Sequence, residues 1–313
     1  RYMHVLVTGG AGFIGSHVAD TLVESGHRVD VLDDLSSGKR THVPDDIPLH
    51  TLDIRSRMAA DLVREKAYDA LVHHAAQIDV RASVEDPMQD ADINVVGLLN
   101  LMEAGRQSGL QKVVFASTGG AIYGEPDYTP QDEDHPKRPA SPYGVAKLSA
   151  ERYLQYYARQ FSVDAVSLRY ANVYGPRQDL QGDAGVVAIF AGKMLDGGQP
   201  VINGSGEQTR DYVYVADVAE ANVRALEYGG SDVFNVGTAQ ETSVTELFQL
   251  IKAKIGVDIT EKHGPPQRGE QQRSVLSYEK AQRSIGWRPR TSIREGLDQT
   301  VEWFSSRTYN EIG

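Results

Sequence analysis

A chain of 313 residues is longer than one small hydrophobic core requires, so one large domain or two fused ones are expected. Its 32 Lys and Arg against 43 Asp and Glu leave a net charge of −11, which argues against a nucleic-acid binder that neutralises phosphates along a basic face. The absence of cysteine excludes a disulfide framework, a thiol nucleophile and a cysteine-held metal, and no metal site is expected.

No uninterrupted apolar run approaches bilayer length and the start carries no signal-peptide core, so the chain is expected to be soluble and cytoplasmic, with no membrane partner. Met3 directly precedes the first strand, and Arg1 and Tyr2 are read as additions ahead of the native start.

In chain order, the first half alternates short apolar runs with segments of helical period, the pattern of βαβ units that build a parallel sheet. Residues 4–8 read as a buried strand. Residues 12–25 follow as a helix with Phe13, Ile14, Val18, Leu22 and Val23 on one apolar face and Gly26 closing it. Residues 28–32 are the second strand, and 49–52, 70–72, 113–116 and 165–168 continue the series. Helices near 58–66, 88–107 and 143–161 lie between them. The fold class is therefore α/β, a doubly wound parallel-sheet Rossmann domain over residues 1–172. Beyond about Asn172, Gly and Pro become frequent, helices shorten and single strands such as 200–202 appear. Residues 173–313 are expected to form a smaller α/β substrate domain, with some segments returning to the first sheet. Residues 125–139 make a Pro- and acid-rich loop that reads either as a mobile flap or as a solvated connector.

Thr8-Gly9-Gly10-Ala11-Gly12-Phe13-Ile14-Gly15 falls between a predicted strand and a predicted helix, the context a dinucleotide fingerprint requires. Gly9 permits the tight turn, Gly12 lets the backbone approach a pyrophosphate, and Gly15 lets the helix lie close to the sheet. The second strand ends in Asp33, roughly eighteen residues past Gly15, where a carboxylate accepts hydrogen bonds from the adenosine ribose. Such an acid repels a 2′-phosphate, so NAD is expected rather than NADP.

Ser141-Pro142-Tyr143-Gly144-Val145-Ala146-Lys147 places Tyr143 and Lys147 four apart on one face of a helix start. An ammonium beside a phenol favours the phenolate, which can then act as a general base. The same spacing occurs by chance on ordinary helices, and the glycine fingerprint upstream tips the reading toward catalysis.

With these motifs in place, the chain resembles the extended short-chain dehydrogenase/reductase superfamily. Within it, the chain is similar to the NAD-dependent epimerase/dehydratase family, and most of all to the UDP-glucose 4-epimerases of that family's nucleotide-sugar branch. The resemblance spans nearly the whole chain. It rests further on Leu52-Asp53-Ile54, His73-His74-Ala75-Ala76, Asn94-Val95-Val96-Gly97 and Arg169-Tyr170-Ala171-Asn172-Val173-Tyr174-Gly175-Pro176. The run from Gly206 through Arg210 to Asp217 and the closing Ile285-Gly286-Trp287-Arg288-Pro289 complete it.

The resemblance implies that Phe13 and Ile14 join the glycines around the cofactor and that Asp53 and Ile54 contact its adenine. It implies that Ala75 and Ala76 line the pyrophosphate and ribose path, that Asn94 orders the cofactor region, and that Lys147 bonds the nicotinamide ribose. Read alone, Asp53 could equally cap a helix beginning near Ser56, and Asn94 could be an internal polar group of a helix. On the substrate side, the resemblance implies that Arg210 and Arg268 hold the diphosphate of a UDP-sugar, assisted by Asn172.

One departure from the pattern bears on catalysis. The family carries a hydroxyl four residues before the tyrosine of a Tyr-Gly pair, here Tyr123-Gly124, and that position is Gly119. Thr118 is assigned the substrate hydrogen bond, with Ser117 the neighbouring alternative. Gly119 and Gly120 also provide neither the acid and base pair of a sugar dehydratase nor the Glu of a uronate decarboxylase.

The expected reaction is thus the interconversion of UDP-glucose and UDP-galactose through a 4-keto sugar, with Tyr143 as base, Lys147 beside it and NAD as cofactor. The rivals are a UDP-glucuronate 4-epimerase and a non-catalytic NAD-binding protein. A family position six residues before Lys280-Ala281 borders the sugar's C2 substituent, and here it is Ser274. A serine leaves room for an acetamido group, so UDP-GlcNAc and UDP-GalNAc are expected substrates, unless Ser274 is a surface residue and Gln272 or Arg273 covers the sugar. The resemblance implies a homodimer through helices 88–107 and 143–161, with which the apolar Leu98, Leu101, Leu154 and Tyr157 are compatible, though these could instead be ordinary core.

Overall fold

Along β1 (His4–Thr8), Val5 and Val7 enter one helical layer and Leu6 the other, the period-two alternation of a strand buried on both faces. The computed structural model describes residues 2–180, 185–267 and 269–307. The same alternation recurs through β2 (Arg28–Asp33), β4 (Ala70–His73), β5 (Lys112–Thr118) and β6 (Asp164–Tyr170), while β3 (Leu49–Thr51) is a short, partly exposed edge strand. A seventh strand, Asp232–Val236, pairs with β6 at one edge.

Every pairing is parallel, and the order across the sheet is Asp232–Val236, β6, β5, β4, β1, β2, β3. Growth of the sheet therefore changes direction between β1 and β4. That switch point opens a crevice at the carboxyl ends of the strands, where ligands of doubly wound sheets bind. Helices Phe13–Glu24 and Val215–Glu227 cover one face through Val18, Leu22, Val218 and Ala225. Helices Arg57–Lys66, Leu98–Gln107 and Pro142–Phe161 cover the other through Val63, Leu101 and Leu154. The last of these is started by Pro142 in its first turn and by Ser141, whose hydroxyl accepts from the Gly144 N–H at 3.2 Å.

Helices Val186–Leu195, Val244–Ile255 and Ile293–Ser305 pack around a separate core that includes Phe190, Phe248 and Phe304. Not everything beyond residue 172 belongs to it. The helix Val215–Glu227, the strand Asp232–Val236, Ala281 and Trp287 all join the first core.

Several expectations need correction. Residues 88–107 do not form one regular helix: Pro87–Ala91 and Leu98–Gln107 flank a wider π-helical stretch at Asp92–Gly97. The cause is Asn94, which is drawn inward. Its Oδ1 accepts the Gln77 N–H at 2.9 Å, and its Nδ2 donates to the Gln77 carbonyl at 2.9 Å and to Asp90 Oδ1 at 3.0 Å. The strand expected at 200–202 shrinks to Ile202–Asn203, paired with His263–Gly264.

The 125–139 loop is neither a flap nor a solvated connector, because its backbone is tied down. The Gln131 N–H donates to the Val275 carbonyl at 2.8 Å, the Ser277 N–H returns to the Gln131 carbonyl at 2.7 Å, and His135 is fully buried. Of the two readings of Leu98, Leu101, Leu154 and Tyr157, the core one holds: all four are buried in the core. The large apolar side chains exposed on those helices are Met88, Val96, Val145, Tyr153, Tyr156 and Phe161. Among the described residues, no helix is long and apolar enough to cross a membrane.

Candidate active site

The turn after β1 can hold its shape only with glycine at two of its positions. Gly9 has φ +66°, and a Cβ on it would stand 2.6 Å from the Ala75 nitrogen; a Cβ on Gly15 would stand 2.1 Å from the Gly9 carbonyl oxygen. The Gly9 N–H bonds the Leu32 carbonyl at 2.8 Å and the Gly12 N–H returns to the Gly9 carbonyl at 3.1 Å, so the turn is closed by its own backbone. The helix that follows starts at Phe13 with neither a capping side chain nor an acid in its first turn. Its first N–H groups are left to an external anion, and the helix dipole favours one there.

A cavity of about 460 Å³ opens in front of this turn. Gly9, Gly12, Phe13, Ile14 and Gly15 border it, together with Ala75 and Ala76 from the end of β4. On the β2 side, Asp33, Asp53 and Ile54 border it, and on the β5 side Tyr143 and Lys147 do. The Asp33 carboxylate is aimed by the N–H groups of Ala11 at 3.0 Å and Leu35 at 2.9 Å, while burial pushes its pKa above the usual carboxylate range. Asp53 does not cap the next helix; Ser56 does, accepting from the Ala59 N–H. The Arg55 guanidinium, 2.6 Å from Asp53 Oδ2, holds the Asp53 carboxyl below its ordinary range. Asn94 does not border the cavity; it sits behind Gln77, which does, and holds its backbone on both sides.

Lys147 is buried, and its Nζ donates to the Ala116 carbonyl at 2.9 Å and lies 5.8 Å from the centre of the Tyr143 ring. Burial pulls its pKa down to about 8. Burial likewise holds His73 and His74 neutral, down to about 3, so neither adds positive charge beside Tyr143.

Thr118, Asn172, Arg210 and Ser274 do not border this cavity. Thr118 ends β5, Asn172 follows Tyr170, the end of β6, with one residue between, and Arg210 lies in a short strand paired with Thr242–Ser243. Thr118 closes β5 and accepts the Ala121 N–H at 3.3 Å. The Asn172 N–H donates to the Asp211 carbonyl at 2.9 Å, next to Arg210. Arg210 is only partly engaged, with Nη1 on the Thr209 carbonyl at 2.8 Å and Nη2 3.7 Å from Glu270 Oε1. Ser274 is buried, with Oγ 3.9 Å from the point a Cβ on Gly120 would occupy, which removes the surface-residue reading. Arg268 lies outside the described residues.

The sequence reading missed Asp211 and the buried pair Glu151 and Arg169. Asp211 accepts from the Thr238 and Ala239 N–H groups, the Thr238 hydroxyl and the Leu276 N–H at 2.6 to 3.2 Å. It thereby joins the end of the edge strand to the segment that carries Ser274. Glu151 lies eight residues past Tyr143, in the same helical row, and that spacing could have flagged it.

A family model described as the NAD dependent epimerase/dehydratase family matches residues 5–237. The chain belongs to that family. This family member is 46% identical over 302 residues to a putative UDP-glucose 4-epimerase of Methanocaldococcus jannaschii, covering 96% of this chain and 98% of that one. Its fold superposes on the crystal structure of a Thermotoga maritima UDP-glucose 4-epimerase with UDP-glucose, with TM-score 0.94 and 46% identity over 97% of this chain and 99% of that one. A Thermus thermophilus UDP-glucose 4-epimerase in complex with NAD gives 0.93 and 45% over 98% and 100%. The residues of this epimerase/dehydratase site fit NAD on their own evidence. The turn leaves no room for a Cβ at Gly9 or Gly15, the helix start is uncapped, and an oriented acid stands at the β2 end.

Proposed function

We propose that this chain is an NAD-dependent UDP-glucose 4-epimerase that interconverts UDP-glucose and UDP-galactose through a 4-keto sugar. The observation that carries the reading is the Tyr143 and Lys147 pair at one side of the dinucleotide cavity, beside a β5 turn whose Gly119 and Gly120 supply no acid or base for eliminating water. Bound NAD supplies a hydride acceptor that later returns the hydride. Tyr143 takes the proton from the sugar's 4-hydroxyl and gives it back after the sugar has turned over. Lys147 supplies the positive charge that favours the phenolate.

Thr118 rather than Ser117 is assigned the hydrogen bond to the sugar oxygen. The Ser117 hydroxyl spends its one proton on Glu151 Oε1 at 2.6 Å. The Thr118 oxygen accepts the Ala121 N–H, and among the described residues its own proton has no acceptor. Arg210, with Arg268 and Asn172, anchors the UDP diphosphate at a distance from the reacting carbon, which leaves the sugar free to rotate.

The reading includes a cytoplasmic homodimer, supported by the exposed Met88, Val96, Val145, Tyr153 and Tyr156 on two neighbouring helices. It also includes turnover of UDP-GlcNAc and UDP-GalNAc, supported by the small Ser274 beside Gly120. Neither the uronate rival nor the non-catalytic rival is favoured, because relatives matched over their full length are named UDP-glucose 4-epimerases.

The test is to incubate the purified protein with UDP-glucose, UDP-GlcNAc and UDP-glucuronate in turn and to resolve the products by chromatography. UDP-galactose and UDP-GalNAc are expected. No conversion of UDP-glucose overturns the reading, and conversion of UDP-glucuronate alone replaces it with the uronate rival. In a Ser274→Tyr variant, an unchanged ratio of N-acetylated to plain turnover removes Ser274 as the gate.

A further inference from the structure

Beneath the substrate side of the site, one ion pair touches three elements. Glu151 lies one turn beyond Lys147 on the helix Pro142–Phe161, so Tyr143, Lys147 and Glu151 form a single row along it. Arg169 of β6 meets Glu151 in a two-bond fork, Nε to Oε1 at 3.0 Å and Nη2 to Oε2 at 2.7 Å, with both side chains excluded from water.

Each partner also reaches one end of the β5 turn. Glu151 Oε1 accepts the Ser117 hydroxyl at 2.6 Å, immediately before Thr118. Arg169 Nη1 donates to the Tyr123 hydroxyl at 2.8 Å, at the far end of the short helix Gly119–Tyr123, and that hydroxyl donates to Asn235 Oδ1 at 2.7 Å on the edge strand.

A buried ion pair is weak evidence for stability, because well-packed apolar side chains of similar volume do as well. Its worth here is geometric. The turn between the two anchor points contains two successive glycines, which leave the backbone free, and Thr118 must be held to a fraction of an ångström to meet a sugar oxygen.

We propose that the Glu151 and Arg169 pair is a positioning device for the reaction: it clamps both ends of the turn that carries Thr118 and ties that turn to the helix that carries Tyr143. The proposal rests on the epimerase reading. Tyr123, Glu151 and Arg169 do not border the cavity, so loss of the clamp is read in turnover rather than in substrate binding.

The test uses the full chain with its bound NAD and two variants that each remove one hydroxyl, Tyr123→Phe and Ser117→Ala, with their combination. Tyr123→Phe is expected to lower kcat for UDP-glucose on the order of tenfold, with KM and the NAD content per chain unchanged. Ser117→Ala is expected to act likewise. The double variant should lose less than the product of the two, because both cuts release the same turn. Wild-type kcat in Tyr123→Phe, or losses that multiply, overturns the clamp whatever happens to the melting temperature. If Tyr123→Phe does not fold, Ser117→Ala decides through amide hydrogen exchange over residues 118–122: faster exchange than wild type upholds the clamp, and equal exchange overturns it. Wild-type protein that leaves UDP-glucose unconverted overturns the functional reading instead. In that case amide hydrogen exchange over residues 118–122 of the NAD-bound variants decides the clamp: faster exchange than wild type upholds it, and equal exchange overturns it.

Discussion

Leu276 occupies the space that a side chain on Gly119 would need: its Cδ1 lies 2.5 Å from where that Cβ would stand. Leu276 is itself fully buried and fixed through its N–H to Asp211 Oδ2 at 3.1 Å. The position at which the family carries a hydroxyl is therefore closed to one, and Thr118 is the hydroxyl left at the end of β5. Gly119→Ser is expected to destabilise the protein by about 1–3 kcal/mol through overpacking. In a Leu276→Ala background the same substitution should cost less, since the truncated side chain leaves room for it. Chemical denaturation of the four proteins measures the difference, and equal cost in both backgrounds would falsify the steric account.

Tyr143→Phe removes one hydroxyl from a half-buried ring at the helix start. Turnover of UDP-glucose should fall on the order of a hundredfold or more, the usual worth of a positioned general base, while NAD stays bound. Near-normal turnover would remove Tyr143 from the base role.

The buried Lys147, drawn down to about 8, sets an alkaline limit on activity. Below that pH the ammonium is charged and favours the Tyr143 phenolate; above it the amine is neutral and the help is lost. A profile of kcat from pH 6 to 10 should bend downward with a midpoint near 8, and Lys147→Met should be slow throughout and lack that bend.

Asp211 gives a stability effect of defined sign. Burial raises its folded-state pKa to about 6, against roughly 3.9 for an unfolded Asp. Between those values the folded chain holds a proton that the unfolded chain has released, so this group's contribution to stability falls as pH rises through the window, by on the order of 2–3 kcal/mol. Asp211→Asn cannot accept from all of the same donors and should be less stable overall, yet its melting temperature should decline less between pH 4 and 6.5. Parallel declines in the two proteins would show that another group sets the slope.

Much of the sheet could be read in advance because a parallel strand covered on both faces is a short apolar run, and β1 and β4 are such runs. The cofactor end was legible for a related reason: Gly9, Gly15 and Asp33 act through local backbone geometry, which adjacent letters encode. What escaped depends on partners far along the chain. Asn94 widens its helix only because Gln77 comes back to meet it, seventeen residues away in sequence. Asp211 reads as one more acid until Thr238 and Leu276 converge on it, 27 and 65 residues later. Glu151 looks like a solvated helix charge until Arg169 is folded beneath it. On the helices of the expected dimer face, apolar content is visible in the sequence but its direction is not, so dimer contact and core stay open for Leu154 until the fold buries it.

The strand at the sheet's edge has a consequence for how the chain comes to be folded. β6 ends at Tyr170, but the strand that covers its open side begins only at Asp232, about sixty residues later along the chain. During synthesis, that is roughly 3 to 12 s in which the backbone donors and acceptors of β6 have no neighbour on that side. An unpaired parallel edge invites a strand from another nascent chain. The emerging protein is therefore open to such pairing in that interval, and a chaperone that holds chains as they leave the ribosome would shield β6 there.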